Sequence, residues 1–536
     1  MSRFMKQAKP IISLLITCLL GTLSGFAQNP AVQYEQDILI REYQLLNKLV
    51  PKNSLTIRPY TGRKSGDSLS TDSVFTYFDP KKLKQDFMPD ELFAFPLRVE
   101  SQFNSKRPFG WGNGSFIQAR GAQLRFSTGL LYKSSAFEAA IVPEYILADN
   151  APYRITSSFG DTIKANYHKG FFGNSYARFN AGPITLGFSN ENIWWGPGQF
   201  GALILSNNAP GFGHLHLSTR RPIRNPVMDI EFQFIAAGLD QDSAHYSEIN
   251  FLRAAPYTRQ WRYMNGFAIV VQPKPIPGLY LGLTRAMQFY RWQLSQIPDE
   301  ISFLQKYLPA VTAFFGPLNP QTVDNNFNDG RDQQASVFFR FVLPKDHFEV
   351  YFEYGYNDYK DNLRDLTIDA QHSAAYLTGI KKMIHLPRKN NYIGVSLEAI
   401  QLAQSPDFIT RNAGNWYVHS VMSQGFTHMN QILGVGSGLG NNIQTLQLER
   451  VSGTNRVGLR LQRIQNDPRR LVGSINTAFL GPTNWNDVVT GLFAQWRFGK
   501  LAVKGECFYV GSTNYGWQEG LPMHNIFGSL NFLYNW

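Results

Sequence analysis

The sequence predicts an all-β fold, a transmembrane antiparallel β-barrel of about 18 strands with a small N-terminal helical periplasmic extension. Three observations predict it. Read backwards from the C-terminus, Trp536, Tyr534, Phe532, Leu530, Gly528 and Ile526 make one apolar row, while Asn535, Leu533, Asn531, Ser529 and Phe527 make a mixed one. That two-residue period describes a strand with lipid on one face and a polar interior on the other. Beyond the N-terminal leader no stretch of about 18 or more residues is continuously apolar, which excludes a bundle of membrane-crossing helices. Finally, short links alternate with long ones along the chain, the rhythm of periplasmic turns and outer loops.

Taken in order, residues 1–28 read as a signal peptide: Arg3, Lys6 and Lys9 precede an apolar run over 11–20, and small residues surround Ala27. Cys18 lies in that run, so Cys507 is the one cysteine expected in the mature chain. No intramolecular disulfide or cysteine-based metal framework follows from it. Residues 29–95 are expected to form the periplasmic extension. Within them an amphipathic helix spans about 32–50, with Leu39, Tyr43, Leu46 and Val50 apolar among Glu35, Asp37, Arg41, Glu42 and Lys48, before Pro51 stops it.

Residues 96–536 are expected to be the barrel. Met228, Ile230, Phe232 and Phe234 alternate with Asp229, Glu231 and Gln233, and Phe348, Val350, Phe352 and Tyr354 alternate with Glu349, Tyr351 and Glu353. Short links at 133–135, 181–183, 274–277, 344–346, 386–390, 452–454 and 499–500 read as periplasmic turns. Keeping the up-and-down alternation requires an upward strand at 96–104 and a downward one within 211–221, with one more turn around Asn225. The outer connections are long, among them 105–120, 191–210, 289–333, 402–441 and 466–487. Loops of that length cap a lumen or build a binding surface.

The formal charge is +12, and losing Arg3, Lys6 and Lys9 with the leader leaves about +9, which favours an acidic partner such as an anionic polysaccharide or lipopolysaccharide. Nucleic acid is not expected, because the basic residues are scattered singly and the chain is exported. The expected setting is the outer membrane, with its lipid and its barrel assembly machinery as partners. A monomer without cofactor is expected.

Several residue groups invite a chemical reading. Residues 192–212 carry Trp194 and Trp195 followed by Gly196, Pro197 and Gly198, a rigid turn presenting flat apolar faces of the kind sugar rings stack on. Packing of the same rings inside a folded-in loop is the commoner outcome. Trp416 and Trp485 are the next candidates for polysaccharide binding. His214, His216 and Ser218 share one strand face beside Arg220, and a polar lumen row explains them without a metal or a nucleophile, since no third ligand or positioned acid accompanies them. Glu349 and Glu353 lie about 13 Å apart along a strand, beyond the roughly 5–9.5 Å of a glycosidase pair. With Arg340, Arg456, Arg460, Arg497, Lys504 and Glu506 they read as a charged lumen network. Residues 324–332 are rich in side-chain oxygens, but their glycine falls one place late for a calcium loop, and a solvated outer loop is expected.

The stretch 192–212 resembles the signature of the Wzi family of outer-membrane capsule assembly proteins. Two others agree with it: residues 107–121, with Trp111 among Gly110, Gly112 and Gly114, and residues 426–442, with His428 and Gly434. The resemblance implies an eighteen-stranded barrel with periplasmic helices and lumen-closing outer loops that binds or organises capsular polysaccharide at the cell surface, and no catalytic activity is expected. A porin-like diffusion channel is the first alternative, and the length of the outer loops favours occlusion over it. An outer-membrane hydrolase is the second, and it lacks an assembled Ser, His and acid.

Because the terminal strand both carries the aromatic signal and closes the sheet, deleting residues 526–536 is expected to abolish heat-modifiable barrel in the outer membrane. Normal insertion of the truncated chain, read by gel mobility with and without heating, would refute the strand assignment.

Overall fold

The computed structural model describes residues 33–47, 53–59, 91–134, 136–153, 166–242, 261–296, 303–312, 331–357, 371–388, 390–403, 415–419, 422, 424–466 and 484–535. The leader, residues 324–330 of the oxygen-rich loop and Trp536 lie outside them.

Apart from two short two-stranded ladders, the described strands form one antiparallel sheet in which successive long strands pair, from Met228–Leu239 against Arg262–Pro273 through to Leu501–Thr513 against Met523–Tyr534. That last strand pairs with Leu97–Asn104, Tyr534 opposite Leu97 and Phe527 opposite Asn104, which returns the sheet to its beginning as a barrel. Alternation sets the two faces: Asp229, Glu231 and Gln233 are buried towards the interior, whereas Phe179, Leu186, Leu492, Phe532 and Tyr534 face outward. The barrel is therefore polar inside and apolar outside.

Two-residue hairpins join strands at the short-turn end. Ser452 pairs with Asn455 and Phe498 with Leu501, and Gly453 and Gly499 take the left-handed conformation that such turns require, with φ of 64° and 57°. The barrel begins earlier than position 96. Glu91–Ala94 pairs with Leu130–Lys133, and Leu97–Asn104 pairs with Gly121–Ser127. Pro96 cannot donate to the ladder, so it interrupts the strand, and Phe95 N–H bridges the break to the Gly129 carbonyl at 2.8 Å. The downward strand required within 211–221 is His214–Thr219, between Ile184–Ser189 and Met228–Leu239.

The expected amphipathic helix is present as Gln33–Leu45, but it lies within the barrel at the short-turn end rather than in a separate extension. Its apolar side, through Leu45 and the following Leu46, packs on Val270, Tyr280, Phe338, Val342 and Met383. Its polar side meets the inward charges. Arg41 Nε is 2.8 Å from Glu349, whose other oxygen takes Arg340 at 2.6 Å. Glu42 sits between Lys381 at 2.7 Å and Arg456 at 3.1 Å. Residues 53–59 continue inward: Ser54 donates its N–H and hydroxyl to Glu231 at 2.6 and 3.0 Å, and Arg340 Nη1 donates to the Ser54 carbonyl at 2.8 Å. The periodicity of the helix marks two faces, and nothing in it states that both are covered.

Burial alone would push the Glu42 carboxyl up, but Arg456 and Lys381 outweigh burial and hold it at about 2. A depressed carboxylate contributes stability that is complete above the ordinary pKa of about 4.5 and is lost as pH falls towards 2. Hydrogen-exchange protection of residues 38–47 is therefore expected to hold down to about pH 5 and to decay below it. Glu42→Gln leaves Lys381 and Arg456 with Glu449 alone, and is expected to cost about 3–5 kcal/mol of helix anchoring and to remove that acid step. An unchanged protection profile in the variant would show that the helix is held by its apolar face.

Candidate functional site

The interior above the helix is filled by the loop that carries the paired tryptophans. Trp194–Trp195 forms a two-stranded ladder with Ile57–Arg58, Ile57 opposite Trp195 and Arg58 opposite Trp194. The Arg58 guanidinium lies 4.8 Å from the Trp194 ring centre, a cation over a π face. Trp195 Nε1 donates to the wall residue Gln233 at 2.7 Å, and Trp194 Nε1 to the Gly196 carbonyl at 3.2 Å. Gly196 has φ of 136°, and a Cβ there would stand 2.7 Å from Glu353 Oε2, so only glycine lets the loop pass this carboxylate.

The wall carboxylates bind this loop by its backbone. Glu398 accepts the Gln199 N–H at 2.6 Å, the Phe200 N–H at 3.1 Å and the Tyr351 hydroxyl at 2.8 Å. Glu353 accepts the Ser336 hydroxyl at 2.7 Å and the Leu203 N–H at 3.4 Å. Glu349 is occupied by Arg41 and Arg340, so Glu349 and Glu353 serve different partners and do not face one substrate position.

The other two glycine-rich segments converge on the far side of the same loop, and Asn208 joins all three. Its Oδ1 accepts the Gly112 N–H at 3.0 Å, its Nδ2 donates to the Ile432 carbonyl at 2.9 Å, and its N–H donates to Ser206 Oγ at 3.2 Å. Around it the Gly114 N–H donates to the Asn207 carbonyl at 2.6 Å, Ser206 Oγ to the Gly434 carbonyl at 2.5 Å, and Gln118 Nε2 to the Gly436 carbonyl at 3.0 Å. A Cβ on Gly436 would overlap Asn208 Oδ1 at 1.8 Å. The segment 426–442 is anchored in turn by Arg262, which donates to the carbonyls of Gly425 and Thr427 at 2.7 and 2.8 Å. Burial and the nearby Arg262 guanidinium hold the His428 imidazole down at about 3, and the neutral ring's Nδ1 accepts the Asp240 N–H at 3.2 Å.

The four tryptophans named as polysaccharide contacts are all covered: Trp194 is 3% exposed, Trp195 0%, Trp416 1% and Trp485 8%. Trp416 Nε1 donates to the Ser373 carbonyl at 3.0 Å, with Tyr417 edge-on at 5.6 Å. Trp485 packs with Tyr515 and Trp517 and carries Arg107 5.5 Å from its ring centre. Large rings on an ordered loop bury themselves, and here no face of the four is open to a sugar.

The lumen residues separate into several groups. His214 Nδ1 faces the Phe212 carbonyl at 2.8 Å, His216 Nδ1 faces Ser218 Oγ at 3.1 Å, and Arg220 reaches Glu138 at 3.5 Å. Among the described residues no group of three His, Cys, Asp or Glu side chains is assembled as for a metal ion. Arg456 belongs to the Glu42 cluster and also reaches Glu449 at 3.2 Å. Arg460 bonds Gln447 at 3.0 Å and stands 3.8 Å from Glu506. Asn208, Glu398 and Arg262 escaped the sequence reading. For Glu398 a signal existed, a lone charge on the inward row of Tyr392, Gly394, Ser396 and Ile400; for Asn208 and Arg262 none did, because the loop groups they hold lie about 100 to 220 residues away.

Asn208→Ala is expected to strand the Gly112 N–H and the Ile432 carbonyl, at about 1–3 kcal/mol for each buried group left without a partner. Limited proteolysis of intact cells should then cut within all three glycine-rich segments while the barrel stays heat-modifiable. Cleavage confined to one segment would refute the joint.

None of the curated proteins matches the sequence. Among solved structures, the chain is similar to Wzi of Escherichia coli, an outer-membrane protein involved in group 1 capsule assembly and described as a carbohydrate-binding β-barrel. The identity is 15% and the TM-score 0.60, over 96% of this chain and all of that one. It is more distantly similar to OpdQ of Pseudomonas aeruginosa, at 9% identity and a TM-score of 0.42 over 84% and 99% of the two chains. The family model described as capsule assembly protein Wzi matches residues 113–478, more than half of the chain and including two of the three converging segments and most of the other. The chain therefore belongs to the Wzi family of capsule assembly proteins, which are outer-membrane β-barrels.

Proposed function

We propose that this chain binds or organises acidic capsular polysaccharide at the cell surface, as a non-catalytic monomer whose closed barrel has about 18 strands. The observation that carries the reading is the filled interior: the helix Gln33–Leu45, the Ile57–Arg58 segment and the Trp194–Trp195 loop occupy it from the short-turn end upward, tied to the wall by Glu231, Glu349, Glu353 and Glu398. A filled lumen does not serve diffusion, which leaves the outer loops as the working surface. The similarity to the carbohydrate-binding barrel of Escherichia coli supports the same reading. Trp194, Trp195, Trp416 and Trp485 act in it as supports that hold the loops rather than as sugar contacts. Lipopolysaccharide surrounds the barrel, and the barrel assembly machinery inserts it.

The intact protein in planar bilayers is expected to give no porin-sized current. In cells, the Trp194→Ala/Trp195→Ala variant should lose outer-loop order, at about 3–5 kcal/mol for each truncated ring, and polysaccharide retention should fall with it. Stable large conductance from the intact protein would overturn the reading in favour of a channel. Retention that survives loop disorder would place glycan binding elsewhere.

A further inference from the structure

Between the helix and the wall strands Asn442–Ser452, Asn455–Asn466, Trp485–Phe498 and Leu501–Thr513 lies a cavity of about 60 Å³, bounded by Leu39, Phe200, Gln447, Arg460, Gln495 and Lys504. One water needs roughly 10–15 Å³, so the cavity admits several waters or one small polar group. It lies towards the short-turn end, opposite the outer loops, because Gln495 and Lys504 are a few residues from the Gly499-Lys500 hairpin.

Its walls carry Arg456, Arg460 and Lys504 against the carboxylates Glu449 and Glu506, a lining with a formal excess of positive charge that favours an oxyanion. The Arg460 guanidinium is 5.4 Å from the ring centre of Phe200, 5.6 Å from Phe493 and 5.1 Å from Phe508, and Gln447 Oε1 accepts from both Nε and Nη2. A guanidinium held among rings is fixed in direction and weakly hydrated, which suits planar or tetrahedral oxyanions. A second cation, Lys504, stands beside it, and the carboxylate of Glu506 serves both, 3.3 Å from Lys504 and 3.8 Å from Arg460. Arg460 and Lys504 keep 23% and 28% of their side-chain surface exposed, so an incoming group can reach them. Gln447 and Gln495 add amide groups of the kind that bind hydroxyls, and Arg98 lines a smaller recess that shares Gln495 and Lys504.

We propose that this cavity is an oxyanion site at the periplasmic mouth of the barrel, taking the carboxylate or phosphate of an acidic saccharide. The ligand class rests on the glycan function proposed above, whereas the location is independent of it and lies at the opposite end from the outer loops.

The test uses the full-length protein in detergent. Acetylation of Lys504 by a water-soluble succinimidyl ester is followed by mass spectrometry alone and with trigalacturonate, inorganic phosphate or uncharged maltotriose. Trigalacturonate is expected to slow Lys504 acetylation about fivefold or more, phosphate to slow it less, and maltotriose not at all. In Arg460→Gln, the trigalacturonate concentration giving half protection should rise about tenfold, as expected for loss of a charge-assisted contact. Protection by phosphate without trigalacturonate would overturn the saccharide assignment, equal protection by maltotriose would overturn its basis in charge, and no protection by either anion would overturn the site. Should the variant fail to form a heat-modifiable barrel, the labelling of the unaltered protein decides. Because the readout is local to Lys504, its failure leaves the outer-loop reading standing, and loss of capsule retention leaves this one standing.

Discussion

Charges facing the inside of a barrel have to be met, and several of those in this protein are met by segments of the chain that enter the interior. Glu349 is held between Arg340 of the neighbouring strand and Arg41 of the helix, and all three side chains are buried. Removing one member of such a cluster leaves a buried charge without its counter-charge, which costs more than the intact cluster gains. The arrangement is therefore a constraint as much as a source of stability: the barrel interior and the inserted segments are defined by each other.

The same logic extends along the lumen. Glu231 receives Ser54, Glu398 receives the N–H groups of Gln199 and Phe200, and Glu353 receives that of Leu203. Three of the inward carboxylates thus cap backbone N–H groups that an irregular loop cannot satisfy by itself. This is what allows residues 192–212 to enter the interior without regular structure, and it accounts for acidic residues that would otherwise invite a catalytic reading.

A filled interior moves function to the surfaces at either end. At the outer end, Asn208 and the glycines at 112, 114, 434 and 436 lock three loops into one body, so the loop surface above them is presented on a fixed base. Such preorganisation lowers the ordering cost of binding a flexible polymer. The buried tryptophans belong to that base. At the other end, Arg460 and Lys504 border a small cavity together with Glu449 and Glu506, so the two faces of the barrel differ in what they offer a ligand.

The two-residue period, read from the chain alone, is enough to place the strands and their faces, because alternation is a local property and each strand repeats it. The terminal row from Ile526 to Tyr534, the short hairpins at Gly453 and Gly499, and the amphipathic helix are legible for the same reason. The three glycine- and tryptophan-rich segments stand out by composition, and their likeness to one family carries the functional class. What the period does not contain is where a non-repeating segment goes. That Trp194 and Trp195 are enclosed, that the helix enters the barrel, and that Asn208 meets Gly112 and Ile432 were decided by tertiary structure, because each depends on partners about 40 to 410 residues distant. Local sequence sets which groups need a partner, and only the closed arrangement of the wall brings that partner within reach.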